Sequence, residues 1–135
     1  MSHGSVEDRL AIRELIENFT VGVMHGNADL WMSCWAEGGS WSLPSLPEPV
    51  KGKDNLRTTF SSKTGYFKFM SMLQFPHGTV FNGNTAKGRA YGQEIIIKND
   101  NGIKMAVGFF DDEYVKQDGR WYFQSRVFNV VGLLP

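Results

Sequence analysis

The sequence is short of the residues that would place it in several large functional classes. It has one cysteine, Cys34. One thiol forms no internal disulfide and builds no thiolate metal site alone, so a disulfide scaffold is excluded and a reducing, cytoplasmic setting is expected. The three histidines, His3, His25 and His77, are scattered along the chain, which argues against a zinc site. An excess of charge of either sign is also missing. Fourteen basic residues balance fourteen acidic ones, so nothing electrostatic points to nucleic acid or to an anionic membrane as a partner. No apolar run approaches membrane-spanning length, and Met1–Ser5 lacks the basic start of a secretory leader. The phosphate-binding loop, the dinucleotide fingerprint, HExxH and Gly-x-Ser-x-Gly are all absent.

What is present fits one globular domain over residues 1–135, with 41% hydrophobic and 21% charged residues. Aromatic residues make up 13% of the chain, and six Met accompany them. That composition suits a well-filled core, and it equally suits an aromatic-walled cavity.

The pattern changes character midway. Ser5-Val6-Glu7-Asp8 has the form of a capping box. The run from Val6 to Met24 then places Leu10, Ile12, Leu15, Ile16, Phe19 and Val23 along one helical stripe, ended by Gly26 and Asn27. A second helix is predicted over Ala28–Trp35 with Asn27 as N-cap, followed by a turn at Glu37-Gly38-Gly39 and a short strand holding Trp41. Pro44, Pro47 and Pro49 make an irregular loop, and a third helix starts near Gly52. The second half reads as a strand meander over 72–81, 86–98, 104–116 and 120–130. Its connections each hold an Asn-Gly or Asp-Gly step, the strongest short hairpin signal. Gly88, Gly92 and Gly108 are candidate bends. Helices followed by a bent antiparallel sheet predict an α+β fold with the helices over the concave face.

Three residues stand out chemically. His77 shares an alternating face with Leu73, Phe75, Thr79 and Phe81, which predicts an inward imidazole held neutral as a base. The other reading is a buried histidine with no catalytic role. Arg126 lies in an apolar strand and needs a partner or a ligand. It reads as a donor for developing negative charge, or as half of an ion pair with a carboxylate such as Glu94 or Glu113. Trp41 reads as a pocket wall or as core. Tyr66, Tyr91 and Tyr122 could each orient a bound oxygen, and no spacing selects among them. Asp111-Asp112-Glu113 reads as a solvated edge, since alternating faces split it.

Taken together, these features resemble the SnoaL-like branch of the nuclear transport factor 2-like superfamily, nearest to scytalone dehydratase, bile acid 7α-dehydratase and hexachlorocyclohexane dehydrochlorinase. The resemblance rests on Asp8-Arg9-Leu10-Ala11-Ile12-Arg13 in helix 1, Asp29-Leu30-Trp31 through Trp35, Trp41, His77, the Asn82-Gly83-Asn84 turn, Asp118-Gly119-Arg120-Trp121 and Arg126. It implies a cone-shaped α+β barrel with a deep apolar pocket, no cofactor and no metal, and assembly into a homo-oligomer, a dimer or trimer. It also implies a His–Asp dyad that removes a proton during elimination. His77 and Arg126 match the catalytic positions, and Trp41 matches a pocket wall that Phe75 and Tyr91 would extend. The dyad aspartate falls on Met24, and a polar lysine of the dehydrochlorinase falls on Phe19. Two functions follow as expectations. One is a cofactor-independent lyase or isomerase for a small hydrophobic substrate. The other is a non-catalytic binding protein that has lost the aspartate, unless Asp29 reaches the imidazole.

Overall fold

In the computed structural model, which describes residues 2–134, the chain runs α1 (Val6–His25), α2 (Ala28–Met32), β1 (Trp35–Ser42), β2 (Val50–Lys51), α3 (Lys53–Thr64), β3 (Phe67–Asn82), β4 (Thr85–Lys98), β5 (Ile103–Gln117) and β6 (Arg120–Leu134). The strands form one six-stranded sheet in the order β2-β1-β6-β5-β4-β3. Among the described residues only the β1–β6 pairing is parallel. The fold is the α+β cone that the sequence predicts: helices packed on a curved, mostly antiparallel sheet.

The helix signals act as read. Ser5 Oγ accepts a hydrogen bond from the Asp8 N–H at 3.0 Å, which satisfies one open donor at the start of α1. Gly26 ends the helix at φ 60°, a left-handed conformation that glycine adopts without strain. Asn27 Oδ1 then caps α2 by accepting from the Leu30 N–H at 3.1 Å. Asp8 also ties α1 to the sheet. Trp121 Nε1 donates to it at 2.9 Å and Lys116 Nζ at 3.2 Å, and the Trp121 bond holds its carboxyl below the usual range.

Several boundaries differ from the sequence reading. The second helix stops at Met32, and Trp35 opens β1 instead, because its backbone pairs with Phe123 of β6. The Glu37-Gly38-Gly39 turn is a bulge inside β1, where the register shifts between Trp35 and Ser40. β3 begins at Phe67 rather than Met72, its extra length paired against β4.

The core lies between α1, α2, α3 and the concave face of the sheet. Trp31 stacks on Phe60 with ring centroids 4.6 Å apart, and its other neighbours include Phe19, Trp35 and Trp41. Of the three candidate bends, Gly108 has the tightest need for glycine. An added Cβ would sit 2.1 Å from the Asn129 carbonyl oxygen, at the point where β5 and β6 slip in register.

Candidate functional site

Strand parity decides which side chains reach the concave face. On β3 the inward residues are Met70, Met72 and Gln74, while Leu73 and Phe75 are 60% and 52% exposed. Phe81, further along the same strand, is buried again. The parity changes because β3 carries a bulge between His77 and Val80, with Gly78 at φ 69°. An odd-numbered face carried straight through this bulge joins residues that point in opposite directions. His77 is therefore exposed on the convex face, and the expected inward imidazole is not there. It contacts Tyr91 edge-on, and Tyr91 stacks on Phe75 at 5.9 Å. His77 also borders a surface groove with His3, Arg9 and Arg13. Phe75 and Tyr91, expected in the pocket, lie with it on the outer face.

Arg126 does face inward and is fully buried. Its partner is Asp112, not Glu94 or Glu113. Arg126 Nε donates to Asp112 Oδ1 at 2.7 Å and Nη2 to Oδ2 at 3.0 Å, a bidentate pair. Arg126 Nη2 also donates to Gln74 Oε1 at 2.9 Å, and Tyr114 Oη donates to Asp112 Oδ2 at 3.1 Å. Phe110, Phe123 and Phe19 surround the guanidinium, with centroids 3.8, 4.3 and 4.5 Å from its carbon. Among the described residues Arg126 Nη1 has no hydrogen-bond partner, and these ring faces supply its attraction. Asp112 is only 2% exposed, which corrects the reading of residues 111–113 as a solvated edge. Alternation does split that run, but it sends the middle carboxylate inside. Burial pushes the Asp112 carboxyl up, and the guanidinium opposes that rise.

A cavity of about 470 Å³ opens beside this pair on the concave face. Phe19, Val23, Trp41, Phe60, Met72, Ala106, Phe110 and Phe128 form its walls. Trp41 and Phe19 are both buried and both line this cavity. Met24 packs against the core next to the cavity-lining Val23. Asp29 does not approach His77; it pairs with Arg57 at 2.7 Å on the surface.

Among the described residues one acidic group lines the cavity, Glu94 of β4. The sheet register sets it between Met72 of β3 and Ala106 of β5, both nearly buried. Among the described residues, no side chain hydrogen-bonds to its carboxylate or pairs with it. Burial therefore raises its pKa from 4.5 to about 7, and Lys104 only partly opposes the rise. Near neutral pH such a carboxyl exchanges a proton readily. Sequence reasoning considered Glu94 only as a partner for Arg126. The available signal was a carboxylate set against Ile95, Ile96 and Ile97, but only the register shows which face it takes.

Among the described residues no cluster of His, Cys, Asp and Glu could hold a metal ion, and no helix is long and apolar enough to cross a membrane.

The helix-covered cone with its concave cavity is a nuclear transport factor 2-like fold. Within it the chain belongs to the SnoaL-like domain family, whose profile matches residues 4–127. No curated protein matches the chain. Among solved structures, the chain is similar to an assigned scytalone dehydratase from Novosphingobium aromaticivorans. The two share 17% identity at a TM-score of 0.86, over 96% of this chain and 87% of the other. It is also similar to a hexachlorocyclohexane dehydrochlorinase from Novosphingobium barchaimii, with 16% identity, a TM-score of 0.87 and coverage of 96% and 90%. A nuclear transport factor 2-like protein from Salmonella enterica shares 13% identity at a TM-score of 0.82, covering 92% and 91%. At these identities the likeness is one of fold.

Proposed function

We propose that this protein binds a small, largely apolar molecule in the concave cavity and holds it without a His–Asp dyad. The observation that carries this reading is the cavity of about 470 Å³, walled by aromatic, Met and Ala side chains around one unpaired carboxylate. Pockets of this size, mostly apolar with few polar groups, suit drug-sized ligands. A dehydrochlorinase and an assigned dehydratase share the fold, which supports a small molecule as the occupant. The elimination chemistry expected of His77 and Arg126 has no geometric support. The imidazole is on the opposite face of the sheet, and the guanidinium is already committed to Asp112.

The test is uptake of 1-anilinonaphthalene, whose emission rises in apolar surroundings. The native protein should bind it in a saturable way. Ala106→Trp, which fills the cavity floor, should lower that affinity at least about tenfold while leaving the circular dichroism spectrum unchanged. Equal binding by both proteins would place the dye elsewhere and remove the reading.

We also infer that the convex face meets a second copy of the chain. Leu73, Phe75, Val107 and Val131 are 60%, 52%, 41% and 71% exposed on that side. An apolar sheet face of this kind marks an interaction surface. Phe75→Asp should convert an oligomer to a monomer in a solution-mass measurement. A native protein already monomeric at high concentration would contradict the inference.

A further inference from the structure

We propose that the groove between α1 and β3 is a second binding site, built for a small organic anion that joins a phosphate group to an apolar body. The site lies outside the concave cavity and does not depend on what that cavity binds.

One wall is a helix face. Val6, Arg9, Leu10 and Arg13 follow one another at the spacing that sets side chains next to each other on a helix. All four line the groove, and all four are exposed, Val6 at 72% and Leu10 at 52%. Core packing does not account for this stripe, since α1 fills the core with Leu15, Phe19 and Val23 instead. β3, the edge strand of the sheet, supplies the other wall through Pro76, His77 and Thr79. His3 joins from the segment before α1. That segment is held against β3 by two backbone hydrogen bonds: the Ser2 N–H donates to the Phe81 carbonyl at 2.9 Å, and the Phe81 N–H to the Ser2 carbonyl at 2.6 Å. The groove encloses about 640 Å³, a size that suits a small ligand. Leu73, Phe75, Val107 and Val131, assigned above to the contact with a second copy, do not line it.

Its charge has one sign. Two guanidiniums and two imidazoles line the groove, and among the described residues no carboxylate does. The chain as a whole is balanced in charge, so this is a local departure. The other arginines show how unusual it is. Arg57, Arg89 and Arg126 are ion-paired with Asp29, Asp111 and Asp112, and Arg120 donates to the Ser33 carbonyl oxygen. Among the described residues, Arg9 and Arg13 are the arginines whose side chains make no hydrogen bond or ion pair. Glu17, one turn beyond Arg13, is not paired with it and does not line the groove. Two like charges one turn apart repel each other, and an anion held between them relieves that repulsion.

The residue types select the ligand. Guanidinium forks match phosphate oxygens, so a dianionic head can engage both arginines at once. The imidazoles of His3 and His77 add donors at the same groove. Val6 and Leu10 stand beside the arginines and offer an apolar seat to the rest of the molecule. Bare phosphate leaves that seat unused, and a neutral apolar molecule leaves the arginines unused.

The experiment titrates the protein calorimetrically with 1-naphthyl phosphate, with 1-naphthol and with inorganic phosphate. Native protein is compared with the double variant Arg9→Gln/Arg13→Gln and with Ala106→Trp, which fills the concave cavity. Imidazole proton signals are followed by NMR, with His77→Ala assigning one of them. Native protein should bind 1-naphthyl phosphate at least about tenfold more tightly than either simpler probe. The double variant should lose at least about tenfold in that affinity, Ala106→Trp should match native, and the His3 and His77 signals should move on binding. Equal affinity in native and double variant, or unmoved imidazole signals at saturation, would overturn the proposal. A loss confined to Ala106→Trp would place the anion in the concave cavity and also overturn it. So would binding to phosphatidylglycerol vesicles without binding to 1-naphthyl phosphate, which would make the groove a membrane contact.

Discussion

Two carboxylates on neighbouring strands point into the same cone, and they are treated in opposite ways. Asp112 of β5 is held bidentately by Arg126 and accepts a third hydrogen bond from Tyr114, with aromatic rings closing around the pair. Glu94 of β4 has the same inward orientation and, among the described residues, no side-chain partner. The difference lies in what surrounds each group. Around Asp112 the cone is filled, so its charge must be neutralised within the protein. Around Glu94 the cone is empty, so neutralisation is left to protonation or to a ligand. The filled end reads as architecture and the open end as the site.

The largest break in this comparison comes from the filled end. Arg126→Met strands a buried carboxylate and should cost about 3–5 kcal/mol in chemical denaturation. Adding Asp112→Leu should recover much of that loss, because the uncompensated charge is then gone. Failure of the double variant to recover would mean that the pair also fixes the packing of Phe19, Phe110 and Phe123.

The open end should respond with the opposite sign. Folding raises the Glu94 pKa from 4.5 to about 7, so the folded chain holds this proton more tightly than the unfolded one. The resulting stability is fully present below about pH 4.5 and is lost as pH rises through about 7. Glu94→Gln lacks this dependence. Thermal melts should therefore show the variant and native protein matched near the acid end, and the variant more stable above neutrality. A fully expressed shift corresponds to about 3 kcal/mol, and water in the open cavity should reduce the gain to roughly 1–2 kcal/mol.

His77→Ala should give the smallest effect. An exposed convex-face side chain should change stability by no more than about 0.5 kcal/mol, and dye binding in the cavity should stay as in the native protein. A clear loss of binding would show that the outer face communicates with the inner one.

The helical half of the chain was legible because its signals are local. Ser5, Gly26 and Asn27 each act within four residues, and the structure uses all three. The hairpins were equally legible from their Asn-Gly and Asp-Gly steps. The site was harder to read because facing depends on parity, and one bulge reverses parity. The pattern Leu73, Phe75, His77, Thr79, Phe81 looks continuous in sequence. Gly78 at φ 69° and the slip between His77 and Val80 divide it between the two faces.

The sequence by itself determined the class of fold, the helix caps, the turns and the placement of Phe19 and Trp41 in an aromatic interior. Each follows from local conformational preference or from the strong drive to bury large rings. Only the tertiary structure decided that Arg126 belongs to Asp112, that His77 is outside, and that Glu94 is alone inside. Those outcomes depend on the register of four long strands. A one-residue slip in any strand turns each of its side chains to the other face.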